Sequence, residues 1–252
     1  MTAVGTTPAG AASASNLDWH AIHWPTITAE VRRLQLRIAK AFREGKHNKV
    51  KALQWILTHS FSAKLLAVKR VTQNQGGKTP GIDGVVWDTP KKKIQAALSL
   101  RPQGYQAKPL RRIYISKKQK GKLRPLSIPV MKCRGQQALH LLALEPVAEM
   151  VADKNAYGFR PLRSTADAIG QCFILFARKD ATQYILEADI KDCFNSISQS
   201  WLQDNVTIDK EMLKKWFAAG YIEKGQWNPT EIGTAQGVLC KALHKVVCVA
   251  LC

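Results

Sequence analysis

The segment Glu187-Ala188-Asp189-Ile190-Lys191-Asp192-Cys193-Phe194 ends a short apolar run, Tyr184–Ile190, in a carboxylate. Burying a carboxylate is costly unless a cation or a metal meets it. Asp189 is therefore a candidate metal-binding group. The competing reading is that Asp189 or Asp192 caps the helix that follows. A second pattern is basic. Lys117, Lys118, Lys120, Lys122 and Arg124 sit on or beside two alternating runs, Arg111–Lys118 and Lys122–Val130, joined by Gln119-Lys120-Gly121. Such runs predict a β-hairpin. A basic ribbon of this kind can close over a triphosphate, with lysines as point charges and an arginine as a planar fork. It can equally be a surface hairpin that touches only a nucleic-acid backbone. A third pattern, Asn155–Thr165, interleaves Tyr157 and Phe159 with Arg160 and Arg163. Aromatics among arginines suit stacking on single strands and contact with phosphates. A buried aromatic corner with solvated arginines would look the same.

The whole-chain balance supports an anionic polymer as partner. The 252 residues carry 38 Lys and Arg against 18 Asp and Glu. Between Val31 and Arg134 there are 26 basic residues and only three acids, Glu44, Asp83 and Asp88. That density repels itself unless a polyanion neutralises it, and nucleic acid is the first candidate. With 46% hydrophobic residues the chain is long and apolar enough to bury a core. No apolar run reaches the roughly 18 residues that a membrane span needs.

The elements that would position these residues read as follows. Thr28 is placed to cap a helix to about Glu44, with Val31, Leu34, Ile38, Ala41 and Phe42 as its apolar stripe. A second helix is expected over Asn48–Thr72, and a third near Lys91–Leu100. Between them Gln75–Gly84 is rich in turn formers. After the hairpin, Met131–Val151 reads as a strongly apolar helix. Tyr184–Ile190 reads as a strand, followed by two amphipathic helices and an extended piece near Thr230–Gly237. The first 17 residues, Ala-, Ser- and Thr-rich, read as a disordered tail.

Six cysteines form no Cys-x-x-Cys pair, and free thiols in a reducing compartment are expected. Cys240, His244, Cys248 and Cys252 are spaced four apart. On a regular helix the outer two would lie about 18 Å apart, whereas zinc draws its sulfur ligands to about 2.3 Å. A zinc site is therefore not expected there.

Taken in order, these motifs resemble one family. They are Thr79–Gly84 (TPGIDG), Arg111–Lys118 (RRIYISKK), Gly121–Pro129 (GKLRPLSIP), Asn155–Thr165 (NAYGFRPLRST), Glu187–Ile197 (EADIKDCFNSI) and Ile232–Gly237 (IGTAQG). They look like the reverse transcriptases encoded by group II introns, the intron maturases. The opening, with Trp24 and the Leu34, Ile38, Lys40 helix, resembles that family's N-terminal region.

The resemblance implies an α+β fold: N-terminal helices with the fingers and an incomplete palm of a right-hand polymerase. It implies four parts: the tail 1–17, a helical extension with a basic loop at 18–105, fingers and first palm at 106–237, and an atypical end at 238–252. It implies that Asp189 and the backbone of Ile190 hold Mg²⁺ and that Phe194 gates the 2′-hydroxyl of an incoming nucleotide. Lys117 or Lys118, with Arg124, would touch the triphosphate. Gln236 and Gly237 would lie under the nascent pair. Arg111, Arg112, Tyr157, Phe159, Arg160, Arg163 and Asp83 would contact template or intron RNA. The implied partners are group II intron RNA, a primer–template and deoxynucleoside triphosphates, with no membrane. The implied location is the bacterial cytoplasm or an organelle.

The pattern departs from the family after Gly237. The sequence continues Val238-Leu239-Cys240-Lys241, and the Tyr-Ala-Asp-Asp motif that carries the other catalytic carboxylates does not occur. A frameshift near Gly237 is expected, with a genuine divergent ending as the alternative, and the chain reads as a truncated, inactive reverse transcriptase or as a non-catalytic intron-RNA-binding remnant. Ala235 stands where proline is common, and Asn195 where aspartate is frequent. An uncovered apolar face and marginal stability are expected for such a chain.

Overall fold

The computed structural model describes residues 18–116, 123–158, 160–181, 183–188, 191 and 193–234. Five helices come from the N-terminal part: α1 (Trp24–Arg43), α2 (His47–His59), α3 (Phe61–Gln73), α4 (Pro90–Ser99) and, beyond the first hairpin, α5 (Met131–Val151). The hairpin is β1 (Leu110–Ser116) and β2 (Leu123–Ile128). Then follow α6 (Thr165–Phe176), the single turn α7 (Cys193–Ser196), α8 (Gln199–Asn205) and α9 (Lys210–Phe217). A second hairpin, β3 (Tyr221–Glu223) and β4 (Gln226–Asn228), completes the described fold. The fold is α+β, with α5 as a core element common to two hydrophobic clusters.

Helix α5 is the spine. Fourteen of its 21 residues are buried, on every face. A helix apolar all round has to be surrounded. One side of α5, with Leu139, Ala143 and Val147, joins Ile38, Leu57, Val68 and Ala97 from the first four helices and Leu100 just after α4. The other side, with Cys133 and Leu144, joins Tyr105, Leu202, Met212, Leu213 and Trp216. Gln54 ties the two halves, donating to the carbonyls of Ala143 (3.2 Å) and Thr207 (2.9 Å). Pro146 lies inside α5 and has no N–H to give Leu142. The freed Leu142 carbonyl accepts from Gln35 on α1, at 2.8 Å.

Several expected boundaries move. The first helix begins at Trp24, so Thr28 lies inside it rather than capping it. Pro25 suits the first turn, because its absent N–H would have no helical acceptor there. The expected Asn48–Thr72 helix is two helices broken at Ser60, whose backbone is extended (φ −63°, ψ 132°). Their apolar stripes continue across the break, so periodicity alone does not reveal it. Helix α4 is capped by Thr89, which accepts from the Lys92 N–H at 3.3 Å. The Met131–Val151 helix is found with the bounds expected of it.

The sheet has the order β2-β1-β3-β4, with β1 antiparallel to β2 and parallel to β3. Strand Tyr184–Ile190 is not found: its described residues, 184–188, are irregular and exposed. A short apolar run becomes a strand only where a neighbour supplies its ladder, and the described sheet is built from other segments. The β3–β4 hairpin and helix α6 were not anticipated. Helix α6 opens with a capping box between Ser164 and Asp167. None of its residues is buried, and Ile169, Phe173 and Ile174 are each more than 60% exposed.

Candidate nucleic-acid and nucleotide site

The register of the first hairpin decides where its basic residues go. Arg111 pairs with Ile128, Ile113 with Leu126 and Ile115 with Arg124. Directly paired residues share a face, and neighbours along a strand alternate. Arg111, Ile115 and Arg124 therefore lie on one face, and Arg112, Tyr114, Pro125 and Ser127 on the other. Burial falls toward the tip: Ile128 and Ser127 are buried, while Ser116, Leu123 and Arg124 are exposed. The tip residues Lys117, Lys118, Lys120 and Lys122 lie outside the described residues.

The base of this hairpin is held by a buried arginine. Arg134, 3% exposed, donates to the carbonyls of Pro129 (2.8 Å), Gly76 (2.8 Å) and Thr79 (2.6 Å). Burial, and Arg111 nearby, pull its pKa below the ordinary value, while Asp83 acts the other way. The three bonds clamp the Gln75–Gly84 loop to the strand end that enters α5. Gly81 is needed at this seam: a Cβ there would lie 2.6 Å from Val130 Cα. Asp83, expected to touch RNA, is turned into the loop. It accepts from the Val85 N–H at 3.2 Å and lies 4.0 Å from Lys108.

The Tyr157–Arg163 stretch is divided in the same way. Arg160 donates to Glu149 (2.9 and 3.1 Å) and to the carbonyls of Asp153 (2.6 Å) and Ala156 (2.9 Å). Most of its donors are spent on fastening this loop to the end of α5. Arg163 is exposed, with its guanidinium 5.8 Å from the Tyr157 ring centre. Tyr157 is half-buried, so Arg163 is the exposed arginine of this stretch.

Asp189, Ile190, Phe159, Gln236 and Gly237 lie outside the described residues, as does the side chain of Phe194. Backbone of Phe194 is in α7. Asn195, next to it, lines a cleft of about 210 Å³ together with Arg112, Ser127, Tyr221, Thr230 and Glu231. The loop that leads toward Gln236 is fixed against α7 and α8. The Gly233 N–H donates to the Ile197 carbonyl at 3.0 Å, and Gln199 donates to the carbonyls of Thr230 (2.9 Å) and Gly233 (3.1 Å). So the segment after Asp189 and the segment before Gln236 are brought together, although about 40 residues separate them in sequence.

Among the described residues no three His, Cys, Asp or Glu side chains come together as a metal site. The cluster of Cys240, His244, Cys248 and Cys252 lies outside them. Cys133 is a buried free thiol, held above its ordinary pKa by desolvation, and Cys172 is free and exposed. A buried polar set in the second core was not expected from the sequence. The Trp216 indole donates to the Tyr105 hydroxyl at 3.2 Å, and His140 stands edge-on to Trp216 at 5.3 Å. His140 and Trp216 read as simple core in their helix patterns, and Tyr105 lies in an irregular segment where no period marks it. No described helix is long and apolar enough to cross a membrane.

Two family models match this chain. Residues 19–100 match the N-terminal domain of reverse transcriptase, and residues 115–241 match the reverse transcriptase (RNA-dependent DNA polymerase). Three relatives illustrate the likeness. The group II intron-encoded protein LtrA of Lactococcus lactis subsp. cremoris is 32% identical over 71% of this chain and 31% of its own length. Protein YkfC of Escherichia coli is 32% identical over 69% of this chain and 49% of its own. An uncharacterized 91 kDa protein in the cob intron of Schizosaccharomyces pombe is 33% identical over 69% of this chain and 22% of its own. The match thus spans between about a fifth and a half of these relatives. From the two matched models, the chain belongs to the reverse transcriptase family, and its relatives include a protein encoded by a group II intron.

Proposed function

We propose that this chain is the nucleic-acid- and nucleotide-holding part of an RNA-directed DNA polymerase and maturase serving a group II intron. The observation that carries the reading is the β1–β2 register, which sets Arg111 and Arg124 on one face of the hairpin. Arg124 presents a planar fork to a triphosphate, and Lys117 or Lys118 adds a point charge. Arg111 contacts the paired template on the same face. Phe194 excludes a 2′-hydroxyl, and Gln236 and Gly237 support the nascent pair. Arg163 with Tyr157 meets a single strand, while Arg160, Asp83 and Arg134 position the loops that carry these contacts.

Asp189 and the Ile190 carbonyl are hard oxygen donors, a set suited to Mg²⁺. Bound ions would activate a primer hydroxyl and steady the leaving phosphates. These 252 residues provide Asp189 but no Tyr-Ala-Asp-Asp motif. The chain alone is therefore expected to bind RNA and nucleotide without extending a primer. The partners are intron RNA, a primer–template and deoxynucleoside triphosphates, in a bacterial cytoplasm or an organelle.

The test is primer extension by the chain with Mg²⁺ and deoxynucleotides, beside a binding titration with structured RNA and duplex DNA at matched salt. The expected result is preference for RNA, affinity that falls steeply with salt, and no extension. Extension abolished by Asp189→Ala would show that this chain polymerises by itself. Equal affinity for duplex DNA would sink the intron-RNA reading.

A further inference from the structure

Arg111 and Arg112 are adjacent, but alternation along β1 sends them to opposite faces of the hairpin. Arg112 thus cannot join Arg111 and Arg124. Its guanidinium carbon lies 3.8 Å from the ring centre of Tyr221, the first residue of β3. Leu110 pairs with Tyr221 in the parallel ladder, so Arg112 and Tyr221 share this second face. The same face opens into the 210 Å³ cleft bounded by Ser127, Asn195, Thr230 and Glu231.

Three observations say what the cleft takes. First, the Arg112 Nε is buried and has no hydrogen-bond partner. A desolvated donor on a charged group is costly until an acceptor reaches it. Stacking on Tyr221 orients the guanidinium and leaves its in-plane N–H groups for an anion. Second, Glu231 lines the same cleft, yet among the described residues neither it nor Arg112 forms an ion pair. Two opposite charges in one cleft without contact leave room for a group that bridges them. Such a group has an anionic end for the arginine and a hydroxyl to donate to the carboxylate. Third, the cleft is smaller than the roughly 300–1,000 Å³ usual for small-molecule pockets. It suits one sugar-phosphate unit rather than a whole nucleotide with its base.

We infer that this cleft is a second nucleic-acid subsite, on the rear face of the fingers hairpin, that holds one ribose-phosphate unit of a single-stranded RNA. Arg112 binds the phosphodiester and Glu231 accepts from the 2′-hydroxyl. Ser127, Asn195, Thr230 and Thr234 add to the polar lining. The subsite rests on the nucleic-acid reading above but is separate from the Arg111–Arg124 face. It explains why an acid is tolerated beside an arginine on a surface that meets a polyanion: the acid reads the sugar, and DNA lacks the group it reads.

The test uses the full chain and fluorescence anisotropy with labelled single-stranded RNA, the same sequence as DNA, and unlabelled adenosine monophosphate as competitor. Arg112→Gln is expected to weaken RNA binding about five- to tenfold and to lower the slope of log affinity against log salt by about one. Arg112→Lys is expected to recover the slope but not the full affinity. Glu231→Gln, on an exposed loop where it leaves the fold alone, is expected to reduce the RNA-to-DNA preference about threefold or more.

If wild type binds RNA with a steep salt slope and Arg112→Gln matches it, the subsite is wrong and the nucleic-acid reading stands. If wild type shows no salt-dependent RNA binding, the nucleic-acid reading falls and the subsite with it. If Glu231→Gln leaves the RNA-to-DNA ratio unchanged, recognition of ribose is overturned, whatever Arg112 does. Displacement by adenosine monophosphate at micromolar level that Arg112→Gln abolishes would overturn the strand as occupant in favour of a free nucleotide.

Discussion

Gln35 on α1 donates to the Leu142 carbonyl that Pro146 leaves without a helical donor. The two helices are more than a hundred residues apart in sequence, and the bond converts a defect in α5 into a fixed contact between them. Gln35→Leu would leave that carbonyl desolvated. The expected loss is about 1–2 kcal/mol. Urea denaturation should show a lower midpoint with an unchanged slope. Pro146→Ala in the Gln35→Leu background should restore part of the loss by returning the helical bond.

Arg134 holds the Gln75–Gly84 loop through three carbonyls. A lysine has the charge but not the fork. Arg134→Lys is expected to cost about 3 kcal/mol, the scale for disrupting a buried, hydrogen-bonded charge. A thermal melt would show it. A melt unchanged to within a degree or two would mean the clamp contributes little.

His140 is buried, and its Nδ1–H donates to the Gln136 carbonyl at 2.8 Å. Desolvation holds its pKa below the ordinary 6.5, with His59 adding to the fall and Gln136 and Asp209 opposing it. The unfolded chain takes up a proton near pH 6.5, while the folded chain does not until lower pH. Stability is therefore complete above about pH 6.5 and is lost as pH falls through the folded value, by at most about 1.4 kcal/mol per pH unit. Denaturant midpoints measured from about pH 7.5 to 5.5 should decline. The decline should be shallower in His140→Gln, and an equal decline in both would assign the pH effect to other groups.

Helix α6 exposes Ile169, Phe173 and Ile174, and Tyr184, Ile185 and Leu186 are exposed after it. Apolar patches of this kind promote association. The chain should bind a hydrophobic dye and self-associate at raised concentration. Phe173→Glu should reduce both, as read by dye fluorescence and light scattering, without lowering the melting temperature. A monodisperse wild type that ignores the dye would contradict this.

Much of the helical fold was legible because its signals are local. Met131–Val151 is apolar over 21 residues, and Pro90 with Thr89 marks a helix start whatever surrounds it. The hairpin was legible too, because alternation along Arg111–Lys118 and Lys122–Val130 is a property of each strand. The break at Ser60 was hidden because the apolar stripe runs through it. The Tyr184–Ile190 expectation failed because an apolar run does not contain its partner. The three-residue strands Tyr221–Glu223 and Gln226–Asn228 were too short to show a period.

For the site, the sequence by itself determined the chemistry on offer: Asp189, the lysines around Gly121, the arginine pairs and the order of motifs that mark the family. Tertiary structure alone decided what the described ones touch. Arg160 reaches the Glu149 carboxylate and two carbonyls, and Asp83 accepts from the Val85 amide. Arg111 and Arg112 look alike in sequence, but the pleat sends one to the Arg124 face and the other onto Tyr221, a residue 109 positions away. Which side a strand residue faces, and what waits there, depends on register and on distant segments, and neither is written in the neighbouring residues.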